Sequence, residues 1–293
     1  MGNVFKAYDI RGIVPSEIDA VFAERLGRAF GVLRIRELAC GSNVGALALG
    51  TVGGKEGKKV PELVVVRDMR LSSNEFSDAV IKGLRSVGCS VVDIGLTSTP
   101  TFYFTVASYG YDGGVMITAS HNPPDYNGFK LVRDRAKPFG RGTGMDELQK
   151  LFEAQNSGAA VSGAGAVLIG ELKQWAGGLK EQIDFNLHES GLAADPSLVR
   201  RFKIVADPAN AMGAQYLGSL FARLPQVELI KLNFELDGTF PSHDADPLEI
   251  KNCAQIMRAV LMDGADLGIT TDGDGDRIFF IDNNGRVVPQ AII

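Results

Sequence analysis

From residue 60 onward, short apolar runs rich in β-branched residues alternate with longer helical ones. That alternation limits the possible folds more than any other feature of the chain. Residues 63–66 form a continuous apolar run, as a strand covered on both faces requires. Residues 74–86 follow, with Phe76, Ala79, Val80, Ile81 and Leu84 at helical spacing. Residues 91–94 read as the next strand, 100–107 as a helix and 114–118 as a third strand. The pattern then restarts, with helices predicted over 171–186, 211–224 and 254–262 and strands over 202–206, 227–231 and 266–270. Residues 278–281 and 286–288 flank Asn283-Asn284-Gly285, a hairpin-turn signal. Strands separated by helices require right-handed crossovers and a mostly parallel sheet. The predicted fold class is α/β: two related α/β domains with mostly parallel mixed sheets. In such sheets ligands bind beyond the carboxyl ends of the strands.

A chain of 293 residues is long enough for two cores. The small-residue run QNSGAAVSGAG over 155–165 marks the boundary between them. The division is therefore domain 1 over 1–155, a linker over 156–165 and domain 2 over 166–286. A composition of 45% hydrophobic and 22% charged residues excludes disorder as the main state. The net charge of −5 offers no nucleic-acid footprint. No apolar run reaches the roughly 18 residues of a membrane helix, so no membrane partner is expected. The first residues lack a signal-peptide pattern, which points to the cytoplasm. Cys40, Cys89 and Cys253 form no CxxC pair and read as reduced, packed thiols.

Two loops placed directly after predicted strands carry the chemistry. Residues 118–130 read TASHNPPDYNGFK. Ser120 follows the strand, His121 and Asn122 offer polar partners, and Pro123-Pro124 stiffens the loop. Asn127-Gly128 is expected to turn the chain and bring Phe129 and Lys130 back. A serine held this way can act as a nucleophile or a phosphoryl carrier. Residues 271–277 read TDGDGDR. Asp272, Asp274 and Asp276 alternate with glycine, and like charges this close repel by about 1 kcal/mol per pair even in water. A cation resolves the repulsion, and hard carboxylate oxygens select Mg²⁺. Three protein ligands leave room for water or a phosphate oxygen, and Arg277 adds a bidentate phosphate donor. An EF-hand is a poor fit, because Asn283 rather than Glu falls at the twelfth loop position.

The remaining signals have simpler readings. KAYDIRG over 6–12 reads on its own as a first strand and turn. Arg67-Asp-Met-Arg70 reads as a local ion pair in a βα turn, capped by Ser72-Ser73. His243-Asp-Ala-Asp246 is expected to N-cap a helix over 249–262. His188 sits at an exposed helix end, and Trp175 is expected to pack in a core. Residues 50–57 are glycine-rich but lack phosphate-loop spacing.

Taken together, these strings resemble the α-D-phosphohexomutases, the phosphomannomutase/phosphoglucomutase family. TASHNPPDYNGFK is similar to that family's phosphoserine loop, DGDGDR to its metal loop and KAYDIRG to its N-terminal signature. GTFPSHDADP over 238–247 is similar to the stretch preceding the metal loop. The resemblance implies domains 1 and 2 of a four-domain fold. It implies that Ser120 carries a phosphoryl group, which moves between C1 and C6 of a hexose phosphate through a hexose 1,6-bisphosphate that is both intermediate and activator. It implies one Mg²⁺ per chain on Asp272, Asp274, Asp276 and an oxygen of phosphorylated Ser120. Lys130 and Arg11 are the implied proton-handling residues. Lys130 is preferred, since an arginine pKa above about 12 makes a poor base. His121 is implied to orient the loop, and Tyr8 and Arg277 to meet the substrate.

The family's sugar-discriminating Gly-Glu-x-Ser-Gly loop is not in the sequence, and the chain closes on the apolar VVPQAII. The expectation is a truncated chain in which 287–293 begin a missing third domain, domains 3 and 4 are absent and turnover is poor. Two other classes are compatible with the residues. One is a phosphatase-like hydrolase. The other is a non-catalytic, Mg²⁺-dependent fragment that binds a sugar phosphate or a partner.

Overall fold

The computed structural model describes residues 4–39, 60–155, 170–193, 195 and 200–289. Cys40, the 50–57 segment, residues 156–165 of the expected linker and the last four residues lie outside them.

The first sheet takes β1 (Ile10–Ile13), β2 (Glu62–Arg67), β3 (Ser90–Leu96), β4 (Gly113–Ile117), β5 (Tyr126–Arg133) and β6 (Leu172–Gln174) in the order β1-β5-β4-β2-β3-β6. β2 pairs in parallel with both β3 and β4, and β6 joins β3 in parallel. β5 runs against its neighbours β1 and β4. Four helices cover this sheet: α1 (Ala20–Ala39), α2 (Ser73–Ser86), α3 (Thr99–Ser108) and α4 (Met145–Ala154).

β2 shows why the run at 63–66 had to be continuous. Leu63 and Val65 face a core built with Leu26, Phe30, Phe76, Val80 and Leu84 of α1 and α2. Val64 and Val66 face Phe102 and Val106 of α3 on the other side. All four are fully buried, and burying such a side chain contributes roughly 1.5–3 kcal/mol.

The second sheet follows α5 (Leu179–Glu189). It takes β7 (Phe202–Asp207), β8 (Val227–Lys231), β9 (Leu267–Thr271) and β10 (Ile278–Asp282) in the order β10-β9-β7-β8. β7 is parallel to β8 and β9, and β10 is antiparallel to β9. α6 (Gly213–Phe221) and α7 (Ala254–Asp263) cover opposite faces. The fold is thus two α/β units with mixed sheets.

Four expectations change. The helix predicted over 171–186 is β6 followed by α5, because Gly178 at φ 105° breaks the segment and Glu181 caps the helix that follows through the Gly178 amide. β6 pairs with the first sheet, so part of the 166–286 stretch belongs structurally to the first unit. The predicted strand over 286–288 is reduced to one bridge, Ile281 to Val287, beyond the Asn283–Gly285 turn. The helix predicted over 254–262 is α7, but the longer reading from 249 fails, because Ile250–Cys253 form a 3₁₀ turn. Trp175 is half-buried, edge-on to Tyr109 at the margin of the α3-side core. Cys89 and Cys253 are buried free thiols. No helix among the described residues is long and apolar enough to cross a membrane.

Candidate active site

β4 ends at Ile117 and β9 at Thr271, so the two chemistry-bearing loops leave the carboxyl ends of strands in different sheets. They meet face to face. Ser120 Oγ donates to Asp272 Oδ2 at 2.6 Å, and both residues are buried. Gly273 permits this approach: a Cβ there would lie 2.2 Å from the Ser120 carbonyl oxygen. Ser120 has φ 53°, a left-handed conformation that a non-glycine residue keeps only when its surroundings hold it. Its amide donates to Thr118 Oγ1 at 2.9 Å.

The acidic loop gathers its carboxylates as its spacing predicted. One oxygen from each of Asp272, Asp274 and Asp276 lies within 4.8 Å of the others. Arg277 Nε reaches Asp272 Oδ2 at 2.9 Å. Lys130 Nζ, reaching over from β5, donates to Asp274 Oδ2 at 2.6 Å and to Asp276 Oδ2 at 2.5 Å. Burial, then the charges of Asp274 and Asp276, push Asp272 up to about 7. Burial pushes Asp274 the same way, but Lys130 and hydrogen bonds from Thr99 and Ser120 outweigh it and hold its pKa down. Burial opposes the Lys130 charge, yet Asp274 and Asp276 drive its pKa above the ordinary lysine range.

The donor set fits a hard divalent cation. Asp274 Oδ1 is buried without a hydrogen-bond partner, and Asp272 sits among like charges that only added positive charge would fully relieve.

The other sequence-predicted residues surround this pair of loops. Arg11 pairs with Asp9 at 2.6 Å and donates to Asn122 Oδ1 at 2.7 Å, so it touches the serine loop next to Ser120. His121 is half-buried, with Nδ1 buried and unpartnered. Burial, then Arg277 and Arg11, push its imidazole below the usual value. Tyr8 is 70% exposed, and its ring lies beside Gly140.

Two further readings are corrected. Asn127-Gly128 is not the turn of the serine loop. Both residues lie inside β5, opposite Gly12 and Arg11 of β1, and the reversal falls earlier, with Asn122 N bonded to Ala119 O and Tyr126 N to Pro123 O. His243 does not cap a helix: its Nε2 lies 3.1 Å from the buried Asp207 Oδ2.

Sequence reasoning missed Thr99, whose Oγ1 donates to Asp274 Oδ2 at 2.6 Å and whose amide donates to the Asp274 carbonyl at 3.0 Å. The signal was present, since Ser98-Thr99-Pro100 opens a helix after β3, at the end of the sheet where sites form. It also missed Arg70. The expected ion pair with Asp68 exists at 3.3 Å, but Ser72 makes no side-chain cap, and its hydroxyl accepts from Asn127 Nδ2. The Arg70 guanidinium instead reaches the serine loop.

Residues 42–158 match the family described as phosphoglucomutase/phosphomannomutase, alpha/beta/alpha domain I, and residues 186–285 match its domain II. A phosphoglucomutase/phosphomannomutase from Thermococcus kodakarensis is 34% identical over 98% of this chain and 57% of its own length. A phosphomannomutase from Vibrio cholerae is 35% identical over 97% of this chain and 56% of its own. A crystal structure of a phosphoglucomutase/phosphomannomutase family protein from Burkholderia thailandensis superposes with a TM-score of 0.76 at 31% identity, over 98% of this chain and 56% of that one. The two α/β units and the paired loops define domains I and II of a phosphohexomutase. The chain belongs to the phosphoglucomutase/phosphomannomutase family. It spans a little over half the length of the curated relatives it matches.

Proposed function

We propose that this chain carries the phosphoryl-transfer half of a phosphohexomutase, with Ser120 as the phosphoryl carrier and a hexose phosphate as the substrate. The observation that carries the reading is the 2.6 Å contact of Ser120 Oγ with Asp272 at the mouth of a three-carboxylate cluster. Phosphoryl transfer needs chiefly positioning and neutralisation of charge. In the forward half-reaction a hexose hydroxyl oxygen forms a bond to phosphorus as the Ser120 Oγ–P bond breaks. The hydroxyl proton leaves and one returns to Ser120 Oγ. Reversal at the other end of the resulting hexose 1,6-bisphosphate moves phosphate between C1 and C6.

Asp272, Asp274 and Asp276, with an oxygen of phosphorylated Ser120, would hold Mg²⁺, which when bound supplies positive charge to the phosphoryl oxygens. Arg277 is assigned to hold phosphate oxygens. Lys130, kept protonated by its two carboxylates, is suited to deliver a proton to the leaving serine oxygen. Arg11 steadies the loop through Asn122 and lies beside its reacting end. His121, the neighbour of Ser120, is assigned to orient the loop, and the exposed Tyr8 to meet the sugar. The division into 1–155 and 166–286, less β6, is kept as the organisation of this proposal. The free thiols of Cys89 and Cys253 favour a cytoplasmic setting.

The test is intact-mass measurement after incubation with a hexose 1,6-bisphosphate and Mg²⁺. The native chain should gain one phosphoryl group and Ser120→Ala none. Equal labelling of both would remove Ser120 from the role.

A further inference from the structure

Arg70 stands between β2 and α2 and is 3% exposed. Its Nη1 donates to the carbonyls of Pro123 at 2.6 Å and Tyr126 at 2.9 Å. Its Nη2 donates to the carbonyls of Ser120 at 2.9 Å and Asn122 at 2.5 Å. The guanidinium thus grips four carbonyls along seven residues, including that of Ser120. Its own orientation is set from behind. Nε lies 3.3 Å from Asp68 Oδ2, while Asp68 Oδ1 accepts from the Arg70 amide and from Ser73 Oγ.

The second unit closes the other side. The guanidinium lies 5.1 Å from the centroid of the Phe240 ring. The backbone there comes so near that a Cβ on Gly238 would lie 2.7 Å from the Met69 carbonyl oxygen. Burying a charge is costly unless it is paired and hydrogen-bonded. Here Nη1 and Nη2 bond to the backbone carbonyls of a loop with a left-handed serine, which no strand ladder could satisfy, while Nε makes no hydrogen bond and has the Asp68 carboxylate beside it.

We propose that Arg70 is the positioning residue that holds the 120–126 loop in the shape that aims Ser120 Oγ at the acidic loop, and thereby sets the rate of phosphoryl uptake. The proposal rests on Ser120 being the phosphoryl carrier. In the step served, Ser120 Oγ loses its proton and bonds to a phosphorus of the bisphosphate. The sugar oxygen leaves that phosphorus and takes up a proton. Arg70 touches none of these atoms. A displacement of the nucleophile by about 1 Å is enough to cost ~100-fold in rate. Lysine cannot replace it, since an ammonium is a point donor without the planar fork that spans several carbonyls.

The experiment compares the native chain with Arg70→Met, Arg70→Lys, Arg70→Ala for chemical rescue, and the milder Asp68→Asn, which leaves the guanidinium in place but unties it. Amide exchange over 120–126 should rise about tenfold or more in Arg70→Met and Arg70→Lys while the amides of β2, β3 and β4 stay protected. Phosphoryl uptake from glucose 1,6-bisphosphate, followed by intact mass, should slow ~100-fold in both. The bisphosphate concentration for half-maximal rate should barely change, and millimolar guanidinium should restore part of the rate in Arg70→Ala. Asp68→Asn should fall between these and the native chain, and it decides the matter if the arginine variants lose core protection. Loop exchange at the native rate, or faster exchange with unchanged uptake, overturns the proposal. A native chain that takes up no phosphoryl group overturns the Ser120 reading and Arg70's place in transfer with it. Exchange then still judges whether Arg70 holds the loop.

Discussion

The loop after β4 and the loop after β9 leave equivalent strand ends and meet at one point, yet they keep their shapes by different means. The serine loop is held from outside, through its own neutral backbone and side-chain groups. Two prolines stiffen it, Thr118 takes the Ser120 amide, Arg11 takes the Asn122 side chain and Arg70 takes four carbonyls. The acidic loop is held by opposed charges. Asp272 and Asp274 are fully buried, and Lys130, Arg277 and Thr99 counter them. The first loop is a finished mount for one hydroxyl. The second is a site whose stability depends on how much positive charge it holds.

Lys130→Met should break the second arrangement and leave the first intact. Removing one partner of a buried ion pair costs about 3–5 kcal/mol. Lys130 serves two carboxylates, one of them fully buried, so a loss near the lower end is expected in chelator-treated protein. Mg²⁺ should then recover more stability in the variant than in the native chain, because bound ligand adds RT ln(1 + [L]/Kd) to the folded state. Urea melts with and without Mg²⁺ measure this. An equal Mg²⁺ effect in both proteins would mean that the carboxylates do not act as a cation cradle.

Gly273→Ala attacks the contact between the loops. The new Cβ would meet the Ser120 carbonyl oxygen at 2.2 Å, and forced overpacking costs roughly 1–3 kcal/mol. Gly275→Ala is the control. Gly275 has φ 75° but no atom nearer than 3.5 Å to the added Cβ, so it should lose about 1–2 kcal/mol from the left-handed backbone alone. Chemical melts combined with uptake assays separate the two. Gly273→Ala should lose stability and phosphoryl uptake together, and Gly275→Ala chiefly stability. Equal uptake would show that the close approach of the loops is not what aims Ser120.

The contrast between the loops also explains what the sequence could reveal. The acidic loop was legible because its logic lies in side chains at fixed spacing: three carboxylates, two glycines and an arginine. Ser120, His121 and Lys130 stood out in the same way. The strands of residues 62–67, 90–96 and 113–117 were legible because burial on both faces leaves an unbroken apolar run. β5 was hidden because YNGFKLVR carries a turn signal, Asn-Gly, inside a strand whose Asn127 side chain is occupied by Ser72 and Ser73. α1 was hidden because Gly27 and Gly31 lower its intrinsic helix propensity. Arg70 was read as a local pair because its partners are carbonyl oxygens, which every residue has and no letter of the sequence marks. Cross-unit contacts such as Thr99 with Asp274 were hidden because their separation in sequence is 175 positions.

A third segment touches the acidic loop and the arginine that grips the serine loop, and it offers the finest test of the comparison. Phe240 covers Arg70, Ala245 lies 3.6 Å from where a Cβ on Gly273 would sit, and Asp246 Oδ1 is 4.0 Å from Arg277 Nη1. His243 ties this segment to β7 through Asp207, and its Nδ1 donates to the Asp244 carbonyl. Burial opposes the imidazolium, but the hydrogen bonds to Asp207 and Asp244 and their charges prevail, so its pKa is raised above 6.5 in the fold. The protonated form therefore favours the folded state. Its contribution is complete below the unfolded pKa and is lost as pH rises through the folded one. His243→Gln should cost about 1.5–3 kcal/mol near pH 5.5, the scale of one hydrogen bond with a charged partner, and less near pH 9. Urea melts at the two pH values measure it. A cost that stays constant with pH would mean that the tie is made by the neutral imidazole. A cost that grows with pH would mean that burial outweighs Asp207. If the segment serves both loops alike, amide exchange in 120–126 and in 272–276 should rise together in His243→Gln, whereas Lys130→Met should raise it only in the acidic loop.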